Sequence, residues 1–312
     1  MTSSVYHGVY HKLVFTFQRR LEVYMKRFIS IFLALVFTLT LMNVVTPAAK
    51  ADDWDYDTHA WQSSAEDVDF LVISMHPDDD TLFMGAIMPI YGVDQGYNGT
   101  ILYMSANERR TQEALSGAWT MGLRTYPYFA GMRDVCMKNE KLFNESKVIK
   151  VLVRYFRMLR PEVVITHDTN GEYGHWQHKV VAAAAQKAVK LAADPSYDPQ
   201  SANEYGIWQV QKLYLHLYKE NKIVLDVTTP LESLGNRSAW EVAQEAFLCH
   251  KSQQNGHHYC DNSGVNDLSK FGLAFSTVGA DTGNDMFENV RWPKALQRDS
   301  WDYSLGDKQT KA

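Results

Sequence analysis

Cysteine is scarce in this chain. Its 312 residues include only Cys136, Cys249 and Cys260, too few for a disulfide scaffold, so the fold must rest on a hydrophobic core. Nine Pro and 18 Gly, with 46% hydrophobic and 21% charged residues, exclude collagen, disorder and a long coiled coil. There is no internal repeat, low-complexity stretch or Pro/Ser linker to divide the chain. Basic charge is also lacking over most of its length. Six of the 31 Lys and Arg (Lys12, Arg19, Arg20, Lys26, Arg27, Lys50) fall in residues 1–51, against one acid there, Glu22; residues 52–312 thus hold 25 basic and 35 acidic groups, a net charge of −10. A body that acidic repels phosphate backbones, so nucleic acid is excluded as a partner.

What is present begins with a targeting pattern. Residues 25–51 combine Lys26 and Arg27, an apolar run over 28–45 and small residues at Ala49 and Ala51, the layout of a secretory signal cleaved after Ala51. The expectation is therefore a secreted, extracellular or cell-envelope protein without a stable membrane span after cleavage. An uncleaved anchor is the alternative, because a run of about 18 residues approaches the length of a spanning helix. Residues 1–24 read as an upstream extension outside the fold. The remainder divides into an arm at 52–66, one folded domain at 67–295 and a tail at 296–312. Export also permits a disulfide, and Cys249 with Cys260 is the expected pair, leaving Cys136 free.

Apolar runs at 68–75, 100–104, 162–166, 213–217 and 223–227 read as strands, the first and third as strands buried on both faces. Helical patterns fall at 81–91, 111–121, 147–159, 178–193 and 239–250. Their alternation predicts an α/β, Rossmann-like three-layer sandwich with a mostly parallel sheet in a single domain. In such sheets ligands sit beyond the carboxyl ends of the strands. Two loops there are rich in chemistry: His76-Pro77-Asp78-Asp79-Asp80, and the stretch from His167 to His178, which includes Asp168, Glu172, Tyr173 and His175. Alone, the first is equally well an acidic turn, and His175 with His178 equally well a polar pair on a helix face. Together, at the ends of strands in one sheet, they offer His and Asp ligands suited to a divalent metal.

These loops resemble those of the LmbE-like, or PIG-L-type, de-N-acetylases, zinc-dependent hydrolases that remove acetyl from N-acetylglucosaminyl groups. The resemblance runs over residues 68–253. Ser74-Met75-His76-Pro77-Asp78-Asp79-Asp80 matches the family's Ala/Ser-His-Pro-Asp-Asp-Glu, with Asp80 where Glu is usual. Arg110-Thr111-Gln112-Glu113 with Met121-Gly122-Leu123 matches a second motif, Tyr173-Gly174-His175-Trp176-Gln177-His178 a third, and His250-Lys251-Ser252-Gln253 a fourth. The resemblance implies that His76, Asp79 and His178 bind Zn2+, with Fe2+ as a substitute that similar mixed His and carboxylate sites accept. It further implies that Asp78 is the general base and that His175 serves as acid or oxyanion partner. Tyr173 would polarise the amide carbonyl, and Arg110 would hold a substrate hydroxyl or phosphate. Gln177 stands where many members have Asp, so it can orient His175 but not charge it, and Asp168 is a substitute partner for that ring. His167 and His250 are either contacts behind the ligands or packed histidines, and His257-His258 is a loop pair.

Amide hydrolysis needs such a set on chemical grounds alone. An acetamide carbonyl is a poor electrophile, and water attacks it near neutral pH only when a metal lowers the water pKa to about 7. The oxyanion then needs a donor, and the leaving amine a proton. The expected substrate is a small molecule or oligosaccharide bearing N-acetylglucosamine; the oligomeric state is not specified. Two other readings compete. A haloacid-dehalogenase-type phosphatase could use the Asp-x-Asp within 78–80, although His76 and Pro77 intervene after the strand and Leu82 stands where that motif wants Thr or Val. A non-catalytic carbohydrate-binding protein would suit eight Trp and 17 Tyr, but has no need for the ligand set.

Overall fold

The computed structural model describes residues 61–254, 256 and 258–292, with the backbone of two short strands, β8 (Trp301–Asp302) and β9 (Asp307–Lys308). The expected signal and extension, most of the arm and tail, and His257 lie outside the described residues.

Seven strands form one sheet: β1 (Phe70–Ser74), β2 (Gly99–Tyr103), β3 (Tyr128–Phe129), β4 (Val163–Thr166), β5 (Lys212–His216), β6 (Lys222–Val224) and β7 (Lys270–Ser276). Their order is β3-β2-β1-β4-β5-β7-β6, with β1 to β5 parallel and β7 antiparallel to both β5 and β6. Residues alternate between two cores. Phe70 and Val72 of β1 face one, and Leu71 and Ile73 the other. The first core is covered by α1 (Asp79–Met84), a π-helical turn (Met88–Asp94), α2 (Glu108–Thr120) and α6 (Ala239–Phe247); the second by α3 (Glu145–Leu159) and α4 (Trp176–Leu191). A strand between two helical layers loses water from both faces, and each buried Val, Leu or Ile contributes about 1.5–3 kcal/mol, which explains the unbroken apolar runs. Among the described residues, no helix is long and apolar enough to cross a membrane.

Local chemistry sets the helix ends. The Asn144 side chain caps α3 by accepting from the Lys147 amide at 3.0 Å, and Ser238 with Glu241 forms a capping box on α6. Arg157 of α3 is fully buried, yet its guanidinium donates to the carbonyls of Leu191, Ala192, Asp194 and Asp198 and to the Ser201 hydroxyl. It thereby closes the carboxyl end of α4 and the turn into α5 (Pro199–Tyr205).

Several expectations change. The helix expected over 81–91 is instead α1, starting at Asp79, and a π-helical turn that begins around Pro89; proline has no N–H to continue an α-helix. Gly85 lies between them because α1 passes close to α6: a Cβ there would stand 2.7 Å from the Ala243 Cβ. Strand β7 was not anticipated, and it separates β5 from β6, which the sequence alone leaves looking like neighbours. The Cys249–Cys260 disulfide is not formed, and all three cysteines are free. Cys260 is buried with its thiol 3.6 Å from the Thr81 carbonyl, while Cys249 lies 3.6 Å from the Thr120 hydroxyl. Closeness in sequence did not bring the two side chains together.

Candidate metal and hydrolase site

Strand β1 pairs with β2 on one side and β4 on the other. The chain runs from β1 to β2 and only later returns to β4, so the loops after β1 and β4 open side by side at the switch point of the sheet. This topology joins two motifs about 90 residues apart.

In the first loop, Asp78 has φ of +115°, costly for a residue with a Cβ. The turn sends consecutive carboxylates apart. Asp79 Oδ2 accepts the His76 amide at 2.8 Å and lies 3.0 Å from His76 Nδ1 and 3.1 Å from His178 Nε2. His178 Nε2 is 3.3 Å from His76 Nδ1. Asp78 Oδ1 instead receives Arg110 Nη2, which also donates to the Pro77 carbonyl. Asp80, in the usual Glu position, is buried and accepts from the Tyr103 hydroxyl at 2.8 Å and the Asp78 amide at 3.1 Å, bracing the turn from behind.

Three donor atoms of His76, Asp79 and His178 therefore converge with separations of 3.0–3.3 Å. Tetrahedral ligands at about 2.0–2.1 Å from one ion stand about 3.3 Å apart, so this set fits a divalent metal. Two other overlapping sets have ligand atoms within 4.8 Å, one adding His175 to the two histidines and one pairing Asp79 and His178 with His167. His167 is already committed, since its Nε2 accepts the Met75 amide at 2.9 Å. Burial opposes charge on His76 and His178, but Asp79 overrides it in both, raising His76 to about 10 and His178 to about 9. The rings in turn hold Asp79 well below the usual carboxylate range against the effect of burial. Such a cluster draws in positive charge, as protons or as a metal ion.

Each of these two converging rings has an acid on its far nitrogen. His178 Nδ1 is 2.7 Å from Glu172 Oε2, and His76 Nε2 is 3.4 Å from Asp134 Oδ1. Since the oxygens accept, those nitrogens carry hydrogens, and it is the opposite nitrogens that would offer lone pairs to a metal in place of their protons. Asp134, Glu172 and His216, which contacts Glu172, were missed in the sequence. Glu172 lies within a loop already singled out, but no spacing rule marks it as different from the other acids there.

The remaining expected residues fall as follows. His175 is the N-cap of α4, and its ring is edge-on to His76 at 4.9 Å. Burial, then the His178 and His76 charges, lower it to about 4. Gln177 does not orient His175: it is buried and holds the loop carrying Asp134, accepting from the Val135 amide at 3.2 Å and donating to the Arg133 carbonyl at 3.0 Å. Asp168 does not substitute for it either, since its Oδ1 closes a turn onto the Asn170 amide at 3.1 Å. Tyr173 is half-exposed, its ring 5.8 Å from that of His175 and 5.6 Å from that of His178. Burial and the Asp79 and Asp78 charges raise its phenol above the ordinary range. Burial and Asp79 likewise push Asp78 up, against Arg110. His250 is fully buried with neither ring nitrogen hydrogen-bonded. The second and fourth motifs meet where Glu113 accepts the Ser252 amide at 2.7 Å. A cavity of about 380 Å3, lined by Ser105, Asn107, Arg110, Met132, Arg133 and Asp134, opens beside these groups.

Comparison with known proteins matches residues 71–189 to the PIG-L family, described as GlcNAc-PI de-N-acetylase. Two relatives are 1D-myo-inositol 2-acetamido-2-deoxy-alpha-D-glucopyranoside deacetylases. That of Catenulispora acidiphila is 26% identical over 163 residues, covering 42% of this chain and 50% of the relative. That of Geodermatophilus obscurus is 29% identical over 163 residues, covering 41% and 55%. The chain thus spans about half the length of the curated relatives it matches. Among solved structures, N,N'-diacetylchitobiose deacetylase from Pyrococcus horikoshii aligns with a TM-score of 0.45 at 19% identity, covering 60% of this chain and 71% of that one. The matched segment contains both strand-end loops and all three converging atoms, and over residues 71–189 this chain is similar to the PIG-L family of de-N-acetylases.

Proposed function

We propose that the protein is a zinc-dependent hydrolase that removes the N-acetyl group from an N-acetylglucosamine-type sugar or glycoconjugate. The observation that carries the reading is the convergence of His76, Asp79 and His178 at 3.0–3.3 Å with a separate carboxylate, Asp78, beside them. His76 Nδ1, Asp79 Oδ2 and His178 Nε2 would hold the metal, and iron(II) would fit the same donors. A metal bound there supplies a Lewis acid for the acetamide carbonyl and lowers the pKa of water.

The residues divide the rest of the work. Asp78, raised by burial and Asp79, takes a proton from the attacking water as its oxygen adds to the carbonyl carbon. When the C–N bond breaks, the protonated Asp78 returns that proton to the leaving amine. Arg110 holds Asp78 in place through Nη2 and lines the cavity where the sugar would lie. His175, neutral near pH 7 because its pKa is lowered to about 4, acts as an N–H donor to the oxyanion rather than as a strong acid, and Tyr173 is the second donor. The phosphatase reading requires an aspartate free to attack phosphorus, whereas Asp79 is enclosed by two imidazoles and Asp78 lies four residues beyond the end of β1.

On the same reading the chain is exported, is cleaved after Ala51, and acts on envelope or extracellular glycans; amino-terminal sequencing of the mature protein checks the cleavage. Acetate release across free GlcNAc, GlcNAc oligomers and GlcNAc-inositol conjugates, with and without chelator, tests the activity. Release that stops on chelation and returns with zinc is expected. Chelator-resistant activity, or no release from any N-acetylated sugar, overturns the reading.

A further inference from the structure

We infer that Glu172 is a positioning residue for the metal site: its buried carboxylate fixes which nitrogen of His178 is presented to the metal, and in which direction. The inference rests on the metal-dependent reading above.

Glu172 is buried, with none of its side chain exposed, and its two oxygens have different partners. Oε1 accepts the Asp168 amide at 2.8 Å and faces His167 Nδ1 and His216 Nδ1, each at 3.3 Å. Oε2 faces His178 Nδ1 at 2.7 Å. Two donors on one oxygen, the Asp168 amide and His167 Nδ1, fix the carboxylate plane, with the His216 ring packed beside them, and leave the other oxygen for His178. The anchors are themselves held. His167 Nε2 accepts the Met75 amide, immediately before His76, and His216 Nε2 faces the Asp267 carbonyl at 3.0 Å. His167 follows β4, His216 closes β5, and Met75 follows β1, so one carboxylate ties the ends of three adjacent strands to a ligand on α4.

The backbone supports this assignment. Glu172 has φ of +52°, between Gly171 at +71° and Gly174 at +92°. Glycine suits such a conformation at lower cost than Glu, so a side chain is retained there against local preference. With the carboxylate in place, His178 Nδ1 is held as a hydrogen-bearing nitrogen and Nε2, 3.1 Å from Asp79 Oδ2, is the one that would offer its lone pair to a metal. Without it, either nitrogen of His178 could carry the hydrogen, and the ring would be free to turn.

The test uses the full mature chain, stripped of metal, with Glu172→Gln and Glu172→Gly. Zinc affinity is measured by competition with a chromophoric chelator, and the cobalt(II) spectrum and metal-free Tm are recorded beside it. Glu172→Gln keeps the size but places an amide NH2 against histidine donors. Glu172→Gly removes the carboxylate at a backbone angle that glycine favours, so one variant remains foldable if the other does not. The expected result is a 10–100-fold loss of zinc affinity in folded protein and a shifted cobalt(II) spectrum. A merely structural role would lower Tm and leave both unchanged; wild-type affinity and spectrum in either folded variant would overturn the inference. If wild-type protein itself binds no stoichiometric metal, the metal-dependent reading fails and this inference fails with it; if wild type binds metal and the variants bind it equally, only this inference fails.

Discussion

Strand β5 carries a buried charged cluster at each end, and the two differ in whether their hydrogens and acceptors balance. At its start, Lys212 Nζ donates to Asp281 Oδ1, to the Tyr214 hydroxyl at 3.1 Å and to the Met286 carbonyl at 3.2 Å, and the Tyr214 hydroxyl donates to Asp281 Oδ2. An ammonium has three N–H groups and all three are used, so the cluster is closed. At its end, His216 reaches Glu172, and beyond it two imidazole nitrogens and a carboxylate oxygen crowd within 3.3 Å. Without added positive charge, as protons on the imidazoles or as a metal ion, the acceptors there exceed the hydrogens that could separate them. A balanced buried cluster holds the fold together; an acceptor-rich one calls for a cation.

Mutation at each end can break the comparison. The largest effect is expected at the acceptor-rich end. Asp79→Ala should lose metal and turnover together, since two histidines alone bind zinc weakly. Asp78→Asn should keep the metal and reduce turnover by about a hundredfold or more, the range for losing a general base. Metal content and acetate release, measured on the same samples, decide this; full turnover in metal-loaded Asp78→Asn refutes the base assignment. At the closed end, Lys212→Met leaves Asp281 buried without its cation and should cost about 3–5 kcal/mol in urea unfolding. Its zinc affinity should match wild type, and a large loss of affinity would show that the two ends are not separate.

A fourth prediction concerns pH. His250, ordinarily near 6.5, is lowered to about 4 by burial and then by the Arg110 charge, partly offset by Glu113 and Asp79. Below pH 6.5 the unfolded chain takes up a proton there that the folded protein refuses until about pH 4. The stability this group provides is thus fully present above 6.5 and is lost as pH falls toward 4, on the order of 3 kcal/mol in total. Unfolding free energies for His250→Gln should fall less steeply over that interval, whatever the variant's absolute stability, and an identical slope would contradict the assignment. The smallest effect belongs to Gly117 on α2, where a Cβ would stand 2.7 Å from His250 Nε2 and 3.3 Å from the Ala246 carbonyl. Overpacking should outweigh alanine's better helix propensity, so Gly117→Ala loses about 1 kcal/mol. An unchanged or raised Tm would show that the His250 ring has room to move.

Much of this protein could be read along the chain, and the rest only across it. The strands at 70–74 and 163–166 follow from apolar runs, and α3 from helical spacing and the Asn144 cap, because period and capping are properties of neighbouring residues. The two loops carrying His76, Asp79, Asp78, His175 and His178 were visible as strand-end motifs for the same reason. Other features depend on the sheet order. Strand β7 pairs with β5 and β6 from far along the chain, and Cys249 and Cys260 face different surroundings despite being 11 residues apart. Gln177 turns toward the 133–135 loop and away from its neighbour His175. Glu172, Asp134 and His216 acquire meaning only where strand ends meet, because a buried carboxylate is defined by the donors around it, and those arrive from β1, β4 and β5. The sequence by itself determined most of the central elements and the chemical groups available in the loops. Tertiary structure decided which acceptors converge, because distances between residues remote in sequence are set by strand order and register.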